Sequence, residues 1–224
     1  MEVMDPRIPD TGDMAPDFQV PTAGGEEFQL RNALKNTHNV MLVFYRGHWW
    51  PFCIRQLAEI KKYYIDIIKY KTRAYAISVD SPGQSRAVVS EMMLPFDLLC
   101  DVDKKVIQLY HLVNPFEHGG IAKPAIFILN PGGKICYRSL DDTAHRVDLD
   151  HVLTFLKNHY ENPELINTEP VEKKWIIPSW KTTGQIMKNM VLRGNLADWK
   201  HYFLFPLSPI IIPLKKLQKK TKKE

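Results

Sequence analysis

Three short apolar runs, residues 41–45, 74–79 and 125–129, stand out from the polar background of the chain. Nearly unbroken runs of this length read as β-strands covered on both faces. Between the first two, the stretch after Pro51 sets Ile54, Leu57, Ala58, Ile65 and Ile68 at helical spacing among lysines, which predicts a helix with one apolar side. Between the second and third, Ser81-Pro82 offers a cap and a proline for the first helical position, opening a helix that runs to about Met93. Residues 97–99 read as a short edge strand and 103–110 as a further helical turn or two. The Asn130-Pro-Gly-Gly133 turn then reverses the chain into an antiparallel strand at 135–138, and 149–160 forms a closing helix. Upstream, 17–20 and 27–30 flank Gly24-Gly25 and predict a small hairpin. A hairpin, then β-α-β-α, then β-β-α, is the order of an α/β fold with a mixed central sheet and helices on both faces.

The pattern changes after about residue 160. Residues 182–192 have amphipathic spacing, with Ile186, Met187, Met190 and Val191 apolar and Gly194 placed to end a helix. Residues 202–214 are apolar but interrupted by Pro206, Pro209 and Pro213, which suits neither a long helix nor a central strand. The expected organisation is an N-terminal tail at 1–13, one domain at 14–160, a C-terminal extension at 161–214 and a lysine-rich tail at 215–224. In one reading the apolar extension packs on the domain and the lysines are solvated. In the other, apolar insertion and positive charge add up to a weak membrane-surface contact or a contact with an acidic partner.

With 224 residues, 45% hydrophobic and 25% charged, the chain has the make-up of a globular protein with one good core. The formal charge of +5 comes wholly from Lys215, Lys216, Lys219, Lys220, Lys222 and Lys223 set against Glu224. The neutral body gives no charge argument for a nucleic-acid partner. Three cysteines in a chain too large to need disulfide staples favour a reducing compartment. The N-terminus lacks the order of a secretory signal, and no apolar run reaches the roughly 18 residues of a membrane span. A cytoplasmic location is the expectation.

Chemistry concentrates at residues 40–53, where an apolar strand passes through a short polar turn into a helix that carries Cys53 near its start. The amides and dipole of a helix N-terminus favour an anion, so a thiol there can be held partly as the nucleophilic thiolate. Arg46 and His48, in the turn, are candidate electrostatic helpers. Cys100 and Cys136 sit on apolar strand patterns and read as packing residues. His111, His118 and His145 do not form a metal-ligand spacing with the cysteines. There is no phosphate-binding glycine loop and no nucleophile elbow, so neither metal nor cofactor is implied.

These pieces, in this order, resemble the thioredoxin-like fold and, within it, the alkyl hydroperoxide reductase and thiol-specific antioxidant group, the peroxiredoxins. The resemblance spans roughly 14–160 and rests on Ala15-Pro16-Asp17-Phe18, Val43-Phe-Tyr-Arg-Gly47, Ala76-Ile-Ser-Val-Asp-Ser81, Pro95-Phe-Asp-Leu-Leu-Cys-Asp101 and Pro124-Ala-Ile-Phe-Ile-Leu-Asn-Pro-Gly-Gly133. Peroxiredoxins show Pro-x-x-x-Thr-x-x-Cys after Phe-Tyr. Laid on Phe44-Tyr45, that pattern puts Arg46 at the proline, Trp50 at the threonine and Cys53 at the peroxidatic cysteine. Thioredoxins show Cys-x-x-Cys, which here becomes Trp50-Pro51-Phe52-Cys53, so a two-cysteine cycle inside the motif is impossible. The resemblance places the family's activating arginine just before Ala125, where this chain has Lys123 and Pro124, and likens Pro124 to the cis-proline of thioredoxins.

What the resemblance implies is a thiol-dependent antioxidant oxidoreductase that reduces peroxides or disulfides through one cysteine, with an external thiol as reductant. The rival expectation is a catalytically inactive binding module in which Trp50 fills the active-site corner, serving as a peripheral membrane or partner-binding protein.

Overall fold

The computed structural model describes residues 7–36, 39–115, 119–141 and 145–175. Its centre is a five-stranded sheet in the order β5-β4-β3-β8-β9, formed by β3 (Asn39–Phe44), β4 (Thr72–Ser78), β5 (Asp97–Cys100), β8 (Ala125–Leu129) and β9 (Ile135–Leu140). The pairs β3–β4 and β4–β5 are parallel, whereas β3–β8 and β8–β9 are antiparallel. The sheet is therefore mixed, as expected, and the runs at 41–45, 74–79 and 125–129 supply its three central strands. The entrance hairpin pairs β1 (Gln19–Pro21) with β2 (Glu27–Gln29) around the glycine turn. Two-residue strands β6 (Val113–Asn114) and β7 (Ile121–Ala122) pair with each other.

Burial on both faces explains why β3 carries no polar alternation. Met41, Val43 and Tyr45 face one core with α2 (Pro51–Lys62), α3 (Tyr64–Lys69), α4 (Pro82–Met92) and α6 (Leu149–Glu161). Val40, Leu42 and Phe44 face the other, with α1 (Leu30–Asn36) and α5 (Lys105–Leu109). Ser81 caps α4 through a reciprocal pair with Gln84, and Pro82 takes the first helical position, as that dipeptide predicts.

The helix after Pro51 departs from expectation. It stops at Tyr63 and resumes as α3, so the phase of the apolar positions resets. Ile67 takes the buried place, while Ile65 and Ile68 are 77% and 47% exposed. Beyond the central sheet, β10 (His145–Val147) forms an antiparallel pair with β11 (Lys173–Trp175), so the chain after α6 turns back onto the body. The helix expected at 182–192, the proline-broken segment at 202–214 and the lysine tail lie outside the described residues, and with them the suggested membrane contact. No helix among the described residues is long and apolar enough to cross a membrane.

Candidate active site

β3 delivers the chain to the site. Its last residue is Phe44, and the turn Tyr45 to Trp50 leads into α2, with Trp50 at the N-cap and Pro51 at the first position. Cys53 follows in the first helical turn and is fully buried. Its sulfur has two N–H donors. The backbone N–H of Arg46 points at Cys53 Sγ from 3.4 Å, and Nη2 of Arg146 lies 3.6 Å away. Arg146, on β10, is itself buried; its Nε donates to Gln56 Oε1 at 3.1 Å and its Nη1 to the His145 carbonyl at 2.9 Å. Gln56 sits one turn after Cys53 on α2, so one helix presents both the thiol and an acceptor that orients the arginine.

The turn is held from β4. Asp80 accepts the His48 N–H at 2.8 Å, faces His48 Nδ1 at 2.8 Å and accepts from Ser78 Oγ at 2.8 Å. Gly47, with φ +151°, fits where no side chain would: a Cβ there would fall 2.7 Å from Trp49 Nε1 and 3.2 Å from Asp80 Oδ1. Trp50 is buried, its ring edge-on to Trp49 and tilted against Phe52, and the Arg46 guanidinium lies 4.1 Å above it. The Tyr45 hydroxyl is sealed in the same corner, and burial, then the Asp80 charge, holds it far above the usual phenol range.

Of the residues singled out from sequence, Cys53, Arg46, His48, Trp50 and Pro51 share this corner. Arg46 reaches the sulfur through its backbone N–H, and its guanidinium lies over Trp50. His48 is tied to Asp80. Lys123 is exposed, and the cation beside the thiol comes instead from Arg146, past the β8–β9 hairpin. The Lys123–Pro124 bond is trans, so the likeness of Pro124 to a cis-proline fails; the proline carbonyl accepts the Asp141 N–H at 2.8 Å. Sequence reasoning missed Arg146, Gln56 and Asp80. The one available signal was an arginine two residues ahead of the Asp148 cap of the closing helix.

The other two sulfurs are sealed. Cys136 Sγ donates to the Ile128 carbonyl at 3.1 Å, and burial pushes its thiol up to about 12. Cys100 is buried too, and its thiol is raised chiefly by desolvation. Among the described residues, no three His, Cys, Asp or Glu side chains are grouped to hold a metal ion.

A mixed five-stranded sheet with helices on both faces, and a cysteine in the first helical turn after its central strand, defines a thioredoxin-fold thiol protein. The chain belongs to the AhpC/TSA family, whose model matches residues 11–138. Among curated relatives, it is 27% identical to peroxiredoxin Bcp of Escherichia coli over 152 residues, covering 66% of this chain and 96% of that protein. Peroxidoxin BcpB from Mycobacterium tuberculosis superposes with a TM-score of 0.60 at 19% identity, covering 66% of this chain and 96% of that one. AhpC of Enterococcus faecalis superposes with a TM-score of 0.61 at 17% identity, covering 72% of this chain and 99% of that one.

Proposed function

We propose that this chain is a thiol-dependent peroxidase in which Cys53 is the nucleophile and a small external thiol restores it. The observation that carries the reading is the pair of N–H donors on Cys53 Sγ, one from the Arg46 backbone and one from the Arg146 guanidinium. Two donors, one of them on a guanidinium, are placed to stabilise the negative charge that develops on sulfur and spreads onto a departing oxygen in the transition state. Family membership supports the same chemistry. In the reaction, the sulfur attacks one peroxide oxygen, the S–O bond forms as the O–O bond breaks, and the thiol proton ends on the departing alkoxide. The products are a Cys53 sulfenic acid and an alcohol, or water where the peroxide is hydrogen peroxide and hydroxide departs. One external thiol then condenses with the sulfenic acid and releases water, and a second thiol frees Cys53 as the external disulfide forms.

Burial favours a peroxide over a disulfide as the oxidant. Disulfide exchange demands an approach along the S–S axis by a bulky group, whereas hydrogen peroxide is hardly larger than water. A single-cysteine cycle is supported by the positions of the other two thiols. Cys100 and Cys136 are buried on β5 and β9, the outer strands on opposite sides of the central sheet.

The test is peroxide consumption with dithiothreitol as the thiol. Wild type should turn over, Cys53→Ser should not, and Cys100→Ala with Cys136→Ala should keep the activity. Equal consumption by wild type and Cys53→Ser contradicts the reading.

A further inference from the structure

The strand that carries Arg146 makes no ladder with the central sheet. Among the described residues β10 pairs only with β11, yet Arg146 on it reaches both Cys53 and Gln56. Among the described residues, a buried carboxylate joins the backbone of β10 to the sheet. Asp141, just past the end of β9, accepts the Val147 N–H through Oδ2 at 3.2 Å and the Ser139 hydroxyl through Oδ1 at 2.7 Å. Its own N–H donates to the Pro124 carbonyl at 2.8 Å, at the start of β8. β9, β10 and the segment leading into β8 therefore meet at one residue, and the residue its carboxylate grips is the immediate neighbour of Arg146.

We infer that Asp141 is a positioning residue for the Cys53 reaction, acting through Arg146: its carboxylate fixes the height and register of β10 so that the guanidinium meets the sulfur. The charges around it fit that role. Arg146 and Lys173 both act on the Asp141 carboxylate, Lys173 Nζ also donates to the Leu140 carbonyl from β11, and Tyr137 is the titratable neighbour on β9. From the outer side, Asp148 N–H donates to the Glu172 carbonyl at 2.9 Å and Lys174 pairs with Asp148, so β11 presses β10 against the same frame. Among the described residues, the hydrogen bonds of the aspartate go to Ser139, Val147 and Pro124, and neither Cys53 nor Gln56 is among its partners.

The inference rests on Cys53 being the reacting thiol, and the experiment separates the two. Cys53 alkylation by iodoacetamide is followed by peptide mapping in the full chain for wild type, Asp141→Asn, Arg146→Ala and the double variant, with Ser139→Ala as a milder probe. A residue that works through the arginine lowers the rate about ten- to hundredfold in the wild-type background, as expected for a small misplacement of a charged donor. It lowers it no further once Arg146 is gone. The same proteins are examined by nitrogen-15 NMR at the Arg146 Nε–H, whose solvent exchange should rise in Asp141→Asn and, less so, in Ser139→Ala.

Equal losses in both backgrounds, or an unchanged rate together with an unchanged Nε–H signal, overturn the inference. Should Asp141→Asn fail to fold, Ser139→Ala carries the same comparison. If the NMR signal responds as described while wild type consumes no peroxide, the positioning role stands and the peroxidase reading falls.

Discussion

Arg146 Nη2 and Cys53 Sγ lie 3.6 Å apart, although 93 positions separate the two residues in the sequence. A strand outside the central sheet and a helix from its middle strand converge to make that contact. Removing the guanidinium takes away a donor and a positive charge beside the sulfur. Arg146→Ala should therefore lower the second-order rate of Cys53 with hydrogen peroxide about a hundredfold or more, as for the loss of a preorganised donor elsewhere. Arg146→Lys should recover only part, because a point charge cannot serve Gln56, His145 and the sulfur together. Stopped-flow tryptophan fluorescence is the measurement.

Trp50 tests what became of the corner where the family has threonine. The indole is buried and supports Arg46, so Trp50→Ala should cost about 3–5 kcal/mol of stability, the range for a large aromatic cut to alanine. Urea unfolding checks this. The same variant should alkylate faster at Cys53 in native buffer, since the vacated volume adjoins the sulfur's helix start.

Asp80 holds the turn that aims the Arg46 N–H. Asp80→Ala leaves the His48 N–H and the Ser78 hydroxyl without their acceptor, a loss of about 1–3 kcal/mol for buried donors. The expected outcome is a lower melting temperature by calorimetry and a parallel fall in Cys53 reactivity.

Burial raises the Asp141 carboxyl above the usual aspartate range, ahead of the lowering effects of Ser139, Arg146, the Val147 N–H and Lys173. The sign for stability follows from linkage. A folded-state value above the unfolded one means the folded chain binds the proton more readily, so this group's contribution to stability falls as pH rises through that window. Acid therefore does not unfold the protein through Asp141; it converts the carboxylate that grips Val147 into a neutral acid. Cys53 reactivity should decline on the acid side at a pH above that of an ordinary aspartate, with the melting temperature undiminished there, and Asp141→Asn should lack this limb. A pH series of alkylation rates beside calorimetry decides it.

Cys136 should be silent in the native state. Its thiol, bonded to the Ile128 carbonyl and pushed up to about 12, has almost no thiolate at neutral pH. Peptide mapping after iodoacetamide should show modification of Cys136 only in denaturant.

How far the chain announces all this depends on what each residue faces. The strands at 41–45, 74–79 and 125–129 are legible because both faces of the sheet are covered, and the α4 start is legible because Ser81 and Pro82 act locally. Ile65 and Ile68 mislead because a break at Tyr63, which no residue pattern marks, shifts the helical phase. The β10–β11 pair stays hidden: three-residue strands rich in Arg and Lys look like surface loop until tertiary contacts bury one arginine. Cys53 could be found from its corner alone. Arg146 could not, since its partner sulfur is distant in sequence, and Lys123-Pro124 occupied the place where an arginine was sought.

The most direct measurement of the central claim is the fate of the Cys53 sulfur itself. Full-length protein is treated with one equivalent of hydrogen peroxide in the presence of dimedone, and the peptides are mapped by mass spectrometry. The account predicts a dimedone adduct on Cys53, little or none on Cys100 and Cys136, and its disappearance in Arg146→Ala at the same exposure. An unmodified Cys53 in folded wild-type protein, at peroxide concentrations that oxidise free cysteine, would contradict it.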